Sequence, residues 1–178
     1  RGMGFLSHDY KKKIDDQWLY TPSTKKTHRI ATSEKSSSFM GTDFSYSDLT
    51  AQQPDDFNYK LLKENVSIKG EDCWLIEARP KNARIKEETG YVKTNIWVSK
   101  SKITPIQLKA WVSKGKRLKF LRFTNWTKIN NIWVSLTAAA RTTRGGKVES
   151  TTVIKQTNMK INNSAVQATD FSPHKLTQ

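Results

Sequence analysis

Few residues of this chain have both the type and the spacing that catalysis or metal binding requires. His8, His28 and His174 lie far apart in polar surroundings, without Cys, Asp or Glu at the spacing of metal ligands. Cys73 is the only cysteine, which excludes an intrachain disulfide and a Cys-rich zinc site. We therefore expect no metal site, and we interpret Cys73 as a small apolar residue packed in a sheet.

The acidic residues do not form a catalytic pair either. Asp15–Asp16 and Asp55–Asp56 are adjacent in sequence, so their carboxylates point apart in an extended chain. The sequence also lacks a GxSxG elbow, a P-loop and a GxGxxG turn before a helix. These observations predict a protein that is not an enzyme and uses no cofactor.

Positive charge is concentrated in one part of the chain. The formal net charge is +15, and residues 79–160 alone carry 19 basic and 3 acidic side chains. Such a surface attracts phospholipid head groups, an acidic protein or nucleic acid, although a lysine-rich solvated surface is an equally good explanation. Nucleic acid is the least favoured partner, because the basic residues around Phe120 and Phe123 come without an RNP signature, helix-turn-helix or zinc knuckle.

Length and hydropathy favour one domain, residues 1–178, with a core of its own. No stretch approaches the roughly 20 apolar residues of a membrane-spanning helix, so we expect a protein that is not transmembrane. The opening residues, 1–6, are typical of neither a signal peptide nor an initiator sequence, so we expect the chain to begin part-way through a longer one.

Alternation with a period of two runs through most of the chain and predicts a mainly β protein. Glycine and asparagine turns separate the strands, and no interval between them holds a crossover helix, so we predict an antiparallel meander. The predicted strands of this meander are 73–78, 92–99, 106–112, 117–123, 132–138 and 148–159.

The first third of the chain has a different pattern. Residues 17–20 and 27–30 predict a separate hairpin. A short helix is predicted after Asp43 or Ser45, either of which can cap its first turn. The strand 57–66 follows that helix.

Several predicted strands place large apolar groups on both faces. Trp97 alternates with Ile96 and Val98. The strands around Trp111 and Trp133 repeat the arrangement. A sheet with two apolar faces must be covered on both sides, or must curve so that one face lines a cavity. The alternatives are a two-layer packing with a few exposed tryptophans, and a curved sheet that encloses an apolar pocket.

Segments in order along the chain resemble one protein family. Phe39–Leu49 (FMGTDFSYSDL) resembles the motif W-M-G-S-D-F-T-x-D-D-L, and Asp72–Lys81 (DCWLIEARPK) resembles D-C-Y-x-I-E-L-x-P-K. Shorter matches are Gly2–Leu6 with G-T-G-F-L, Gln17–Pro22 with x-W-x-Y-L-P, Ile96–Lys100 with x-W-I-D-K, and Phe171–Ser172 with F-S. The chain is similar to the outer-membrane lipoprotein-sorting proteins, which belong to the superfamily of the periplasmic lipoprotein carrier LolA. It departs from them in Ser99, where the family usually has Asp, and in its basicity.

The resemblance implies a strongly curved antiparallel sheet, a half-open β-barrel with a short helical lid. It further implies an apolar cavity that holds an acyl chain, a periplasmic location, and an additional N-terminal portion before residue 1. A missing first strand would leave an open sheet edge, through which two copies could form a homodimer. Residues 41–49 are our candidate for part of the lid, and a helix that plugs the barrel end is the alternative.

Two sets of candidate site residues follow. The first set would line the apolar cavity from the tryptophan side of the strands and from the covering segment, and comprises Trp18, Phe39, Met40, Phe44, Trp74, Trp97, Trp111 and Trp133. The second set, on basic strand ends and hairpins, would meet anionic head groups or an acidic partner, and comprises Lys114, Lys116, Arg117, Arg141, Arg144 and Lys147.

The leading hypothesis is a non-enzymatic periplasmic carrier or sensor of lipid or lipoprotein acyl chains. The alternatives are an envelope protein-interaction module that serves an exporter or an assembly system, and a nucleic-acid-binding protein. An acyl carrier needs an enclosed apolar slot and no reactive groups, since each methylene removed from water is worth about 0.8 kcal/mol.

Overall fold

The computed structural model describes residues 2–10 and 13–177, and its strands form two antiparallel sheets. The small sheet consists, in order, of β1 (Gly4–His8), β2 (Asp16–Thr21) and β3 (Lys26–Arg29). The large sheet is a meander of β4 (Phe57–Ile68), β5 (Glu71–Pro80), β6 (Tyr91–Ser99), β7 (Thr104–Val112), β8 (Arg117–Ile129), β9 (Ile132–Arg144) and β10 (Lys147–Lys155). Its edges are β4 and β10, so the sheet is not closed into a barrel. The prediction of a mainly β, half-open antiparallel fold is confirmed.

The turns of the meander lie where the sequence places residues that tolerate positive φ. Gly70 has a φ of 83° between β4 and β5, and Asn130 and Asn131 have φ of 51° and 64° between β8 and β9. These backbone conformations close two-residue hairpins with the twist of the flanking strands. The predicted strands are therefore confirmed, although most extend further than the alternation indicated and the last ends at Lys155, short of the predicted 159.

Helical structure differs from the prediction at two places. The helix α1 (Ala83–Thr89) joins β5 to β6, and the sequence analysis placed no helix there. Asn82 caps it by accepting a hydrogen bond from the Ile85 amide at 3.0 Å, and Gly90 ends it with a φ of 73°. The helix predicted after Asp43 or Ser45 is instead one 3₁₀ turn, Tyr46–Leu49. Within the described ranges, no helix is both long and apolar enough to cross a membrane.

A connection between the two sheets, residues 31–56, forms a middle layer that we call the covering segment. On one side, Phe39 packs edge-on against Phe5 of the small sheet with ring centroids 5.3 Å apart. On the other side, Phe44 packs against Leu121 and Ala140 of the large sheet. The covering segment is thus held between two sheets and is part of the core.

Strand register divides the large sheet into two faces. The covered face contacts the covering segment and includes the cross-strand neighbours Ile76, Ile96, Leu108, Leu121 and Ala140. The open face carries the residues that alternate with them, including Trp97, Lys109, Trp111, Phe120 and Arg141. Successive side chains of a strand point to opposite faces, so register alone assigns each residue to one of the two.

Candidate functional site on the covered face

Asp43 attaches the covering segment to one end of the large sheet. Its carboxylate accepts hydrogen bonds from the hydroxyl groups of Thr142, Ser150 and Thr152, at 2.6, 2.5 and 2.8 Å. The Asp43 amide also donates to Thr152 Oγ1 at 3.0 Å. Burial acts to raise the pKa of Asp43, but the three hydroxyl donors outweigh it and hold the pKa below its ordinary value. The segment is therefore fixed to β9 and β10.

Asp48 attaches the same segment to the middle of the sheet. Its side chain is 1% exposed and forms an ion pair with Lys119 of β8 at 2.8 Å. The Tyr91 hydroxyl donates to the other carboxylate oxygen at 2.6 Å, and the Ser45 amide donates at 2.8 Å. Burial, reinforced by the adjacent Asp48, raises the pKa of Tyr91 well above its ordinary value. A desolvated carboxylate is stable here because it is paired and fully hydrogen-bonded.

Two adjacent rows of apolar residues run across the strands on the covered face. Cross-strand pairing places Leu61, Ile76, Ile96, Leu108, Leu121 and Ala140 in the first row. The second row, one step further along the strands, contains Trp74, Val98, Phe123, Ala138 and Ile154. We call this surface the apolar rows, and they run beneath the covering segment from one side of the sheet towards the other.

The covering segment shields only part of the apolar rows. Phe44 and Leu49 pack over the portion formed by β7 to β10, around Leu121. At the other side of the sheet, Leu61 is 55% exposed and Trp74 is half-buried. The uncovered end of the rows, which consists of Leu61, Trp74, Ile76 and Val98, is an apolar surface beside a closed core.

The predicted cavity residues do not form one group. Trp18 lies in the small sheet, edge-on to His8 at 4.9 Å between ring centroids. Phe39 packs on Phe5, and Met40 is 38% exposed. These three residues lie away from the apolar rows, whereas Phe44 packs on them.

The prediction that the tryptophans share one side of the sheet is wrong. Trp74 pairs with Val98, while Trp97 pairs with Leu75, so Trp74 and Trp97 point to opposite faces. Trp111 lies on the same open face as Trp97, because both belong to the register set of Gln107. The sequence could not reveal this, since each strand has apolar residues in both phases of the alternation.

Trp133 has the phase of the open face, because it alternates in step with Arg141 along β9, and it lies near the start of that strand beside two amines. Lys102 Nζ is 5.1 Å from its ring centroid and Lys128 Nζ is 5.0 Å from it. Lys102 also donates to the carboxylate of Glu71 at 2.6 Å. The ring is therefore engaged by cations of this chain.

The structure brings the predicted basic residues closer together than the predicted cavity residues. Arg117 and Arg144 are cross-strand neighbours and both pair with Glu149, while Lys147 is the neighbour of Arg144 in β10. Lys114 and Lys116 occupy the adjoining turn between β7 and β8. Arg141 lies three residues further into β9, on the open face. Their role in binding anions stays a prediction.

The remaining candidates for chemistry are dispersed. Cys73 is fully buried in β5, which confirms its interpretation as a packed residue, and burial raises the pKa of its thiol. Among residues 2–10 and 13–177, no group of three or more His, Cys, Asp or Glu side chains could hold a metal ion.

The sequence analysis missed the two anchors of the covering segment. Lys119 occupies an inward position of β8, in phase with Leu121 and Phe123, where a charge requires a buried partner. Asp43 and Asp48 are the acidic residues of the motif Phe39–Leu49. The sequence signal that could have identified the anchors was a charged residue, Lys119, in the apolar phase of a strand, together with these two acids.

Solved structures of other proteins share this open antiparallel fold. The solved structure of a "putative outer membrane lipoprotein-sorting protein domain" from Vibrio parahaemolyticus matches with a TM-score of 0.78 and 28% identity, over 98% of this chain and 71% of that one. A DUF1329 family protein from Desulfovibrio piger matches with a TM-score of 0.85, the same identity and the same coverage. A LolA superfamily protein from Nitrosomonas europaea shares the fold, with a TM-score of 0.62 and 21% identity over 88% of this chain and 66% of its own.

A family model described as "Uncharacterized protein" matches residues 1–178. No curated protein matches the sequence. The chain belongs to the family of that model, and its structural neighbours are lipoprotein-sorting, DUF1329 and LolA superfamily domains. The resemblance seen in the sequence motifs is thereby confirmed.

Proposed function

We propose that this protein is a non-enzymatic periplasmic carrier or sensor that binds an acyl chain of a lipid or lipoprotein on the apolar rows. The observation that supports this is the uncovered end of the rows, where Leu61 is 55% exposed beside the half-buried Trp74 and Ile76. A row of apolar side chains that continues from this surface into the core offers a hydrocarbon chain a path out of water.

The dimensions of the apolar rows suit one acyl chain. Neighbouring strands are separated by about 4.8 Å, so the uncovered end, on β4 to β6, spans about 10 Å along a row, and the continuation to Leu108 on β7 brings the span to about 14 Å. One leaflet of a bilayer has a hydrocarbon thickness of about 15 Å, which is the length of chain that must be shielded. Each buried methylene contributes about 0.8 kcal/mol, so shielding the chain requires no hydrogen bond or reactive group.

The anchors of the covering segment limit how far an acyl chain can extend along the apolar rows. Asp43 holds the segment on β9 and β10, and the Asp48–Lys119 pair holds it at β8. A chain that enters from β4 therefore meets Phe44 and Leu49, which already occupy the far part of the rows. Displacement of these two side chains would lengthen the site.

Binding of a fluorescent fatty acid tests the proposal with a pair of matched variants. Trp74 and Trp97 are both half-buried tryptophans on adjacent strands, and they point to opposite faces. We expect Trp74→Ala to weaken binding roughly tenfold, because a large aromatic contact is lost, and Trp97→Ala to leave it nearly unchanged. Titration monitored by fluorescence gives both dissociation constants.

Native mass spectrometry of the purified protein supplies a second readout, in which a lipid adduct is expected. Equal loss of binding in the two tryptophan variants would contradict the assignment to the covered face. Failure of the unaltered protein to take up any fatty acid, lipid or detergent would contradict the carrier function itself.

A further inference from the structure

The open face of the large sheet carries unpaired cations beside aromatic rings, and we propose that it docks on the anionic surface of a phospholipid bilayer. The cations that carry the proposal are Lys109 of β7, Arg122 of β8 and Arg141 of β9. They lie on the face opposite the apolar rows, so this surface is distinct from the proposed acyl site.

Strand register places these three cations together. Lys109 pairs with Phe120, and Phe120 pairs with Arg141, so one aromatic ring separates two cations across three strands. Arg122 follows two residues after Phe120 on the same face. Directly paired side chains lie about 5 Å apart and diagonal ones about 7 Å apart, so the three charges form a compact patch.

Lys109, Arg122 and Arg141 have no carboxylate partner among the residues that the structure describes. The acidic side chains that β5 directs to this face already have partners: Glu77 pairs with Arg79 at 2.7 Å and with Lys93 at 2.9 Å, and Glu71 pairs with Lys102 at 2.6 Å. The three cations are therefore available to external anions, and their mutual repulsion decreases when an anion binds.

The surface is shaped to receive small anionic groups. A concavity of about 400 Å³ is lined by Phe120, Arg122, Ala139 and Arg141. A lining that combines apolar side chains with two guanidinium groups matches a phosphate attached to a hydrocarbon chain. Arginine binds phosphate through parallel hydrogen bonds, which a head group at a bilayer surface can accept.

The aromatic rings favour a bilayer over single-stranded nucleic acid. Lys93 and Lys109 place their amines 4.4 and 4.8 Å from the Trp111 ring centroid, and Lys109 also lies 5.8 Å from that of Phe120. Base stacking needs a free ring face, which these amines occupy. Tryptophan beside lysine is instead the combination that resides at the head-group level of membranes.

Sedimentation with vesicles tests the proposal. The vesicles consist of phosphatidylcholine alone, or of phosphatidylcholine with about one third phosphatidylglycerol, which supplies a negative surface. We expect the protein to sediment with the anionic vesicles only, and less at high salt, because the Debye length shortens. The triple variant Lys109→Gln, Arg122→Gln, Arg141→Gln should bind roughly a hundredfold more weakly, at about fivefold per removed cation.

The matched control removes three exposed cations elsewhere, in Lys26→Gln, Lys86→Gln, Lys175→Gln, and so has the same net charge. It should retain most of the binding. Equal loss in both triple variants would overturn the proposal, because binding would then depend only on total charge. Retention of vesicle binding by the open-face variant, with circular dichroism unchanged in all proteins, would overturn it as well.

Two further measurements separate this proposal from its rivals. Fluorescence anisotropy with a single-stranded DNA probe would overturn it if DNA bound through the same three cations while anionic vesicles did not bind. The Trp74→Ala variant should still bind vesicles, since it alters only the covered face. Failure of vesicle docking with intact fatty-acid binding would thus refute the open-face assignment and leave the carrier function standing.

Discussion

The two faces of the large sheet use the same residue type in opposite ways. Lys119 points to the covered face, where its side chain is 11% exposed and pairs with Asp48. Lys109, its close neighbour on β7, points to the open face and lies over the rings of Trp111 and Phe120. A charge under the covering segment must have a partner, whereas a charge on the open face keeps water and is available for an external anion. Burial, and not residue type, separates a structural lysine from a binding lysine.

The largest expected effect comes from Lys119→Met. This change leaves the Asp48 carboxylate buried without its countercharge, so we expect a loss of about 3–5 kcal/mol in the free energy of unfolding. The matched variant Lys109→Met on the open face should cost less than about 1 kcal/mol. Urea unfolding of both proteins measures the difference, and equal costs would contradict the comparison between the faces. Adding Asp48→Asn to Lys119→Met should recover part of the loss.

An intermediate effect is expected for Asp43→Ala, which removes the acceptor of three hydroxyl groups on β9 and β10. Unsatisfied donors under the covering segment should cost about 2–3 kcal/mol. The segment should also detach locally, so limited proteolysis should cleave within residues 36–46 sooner than in the unaltered protein. Asp55→Ala, at an exposed acid of the same segment, is the control. Cleavage at the same rate in both variants would contradict the role of Asp43 as an anchor.

The smallest effect concerns Glu71, at the start of β5. Hydrogen bonds from Lys102, Ser101 and Ser99 lower its pKa from 4.5 to about 2. Because the native pKa is depressed, its contribution is fully present above pH 4.5 and is lost as the pH falls towards 2. Allowing for solvent screening, we expect Glu71→Gln to cost roughly 1–2 kcal/mol at neutral pH.

Urea unfolding at several pH values checks the Glu71 prediction. The curves of the unaltered protein and of Glu71→Gln should converge as the pH approaches 2, and the control Glu87→Gln should follow the unaltered protein throughout. A constant difference between Glu71→Gln and the unaltered protein at every pH would show that the stabilisation does not arise from the ionised carboxylate.

The strands were predictable because their alternation is local. The hairpin turns were predictable for the same reason, since Gly70 and Asn130 supply the backbone conformations that tight turns need. The helix α1 was missed, although Asn82 and Gly90 are recognisable caps. Its seven residues were too few to show a helical period in a stretch flanked by strands.

The candidate site was predictable only in outline. The motif Phe39–Leu49 pointed to a covering segment, and the structure places that segment over the large sheet. The partners of its two acids lie far away in sequence, as in the pairing of Asp48 with Lys119. No local sequence pattern indicates a contact between residues so far apart in the chain, so the anchors of the segment could be identified only from the folded structure.

The amino-acid sequence by itself determined the strands, their turns, the family motif and the excess of positive charge, because each of these depends on neighbouring residues. The tertiary structure alone decided which phase of each strand lies beneath the covering segment. Strands with Ile96 and Trp97 in adjacent positions are apolar in both phases, so a shift by one residue exchanges the faces without changing the pattern. Packing against Phe44, the pairing of Asp48 with Lys119 and the hydrogen bonds of Asp43 distinguish the inner side from the outer one.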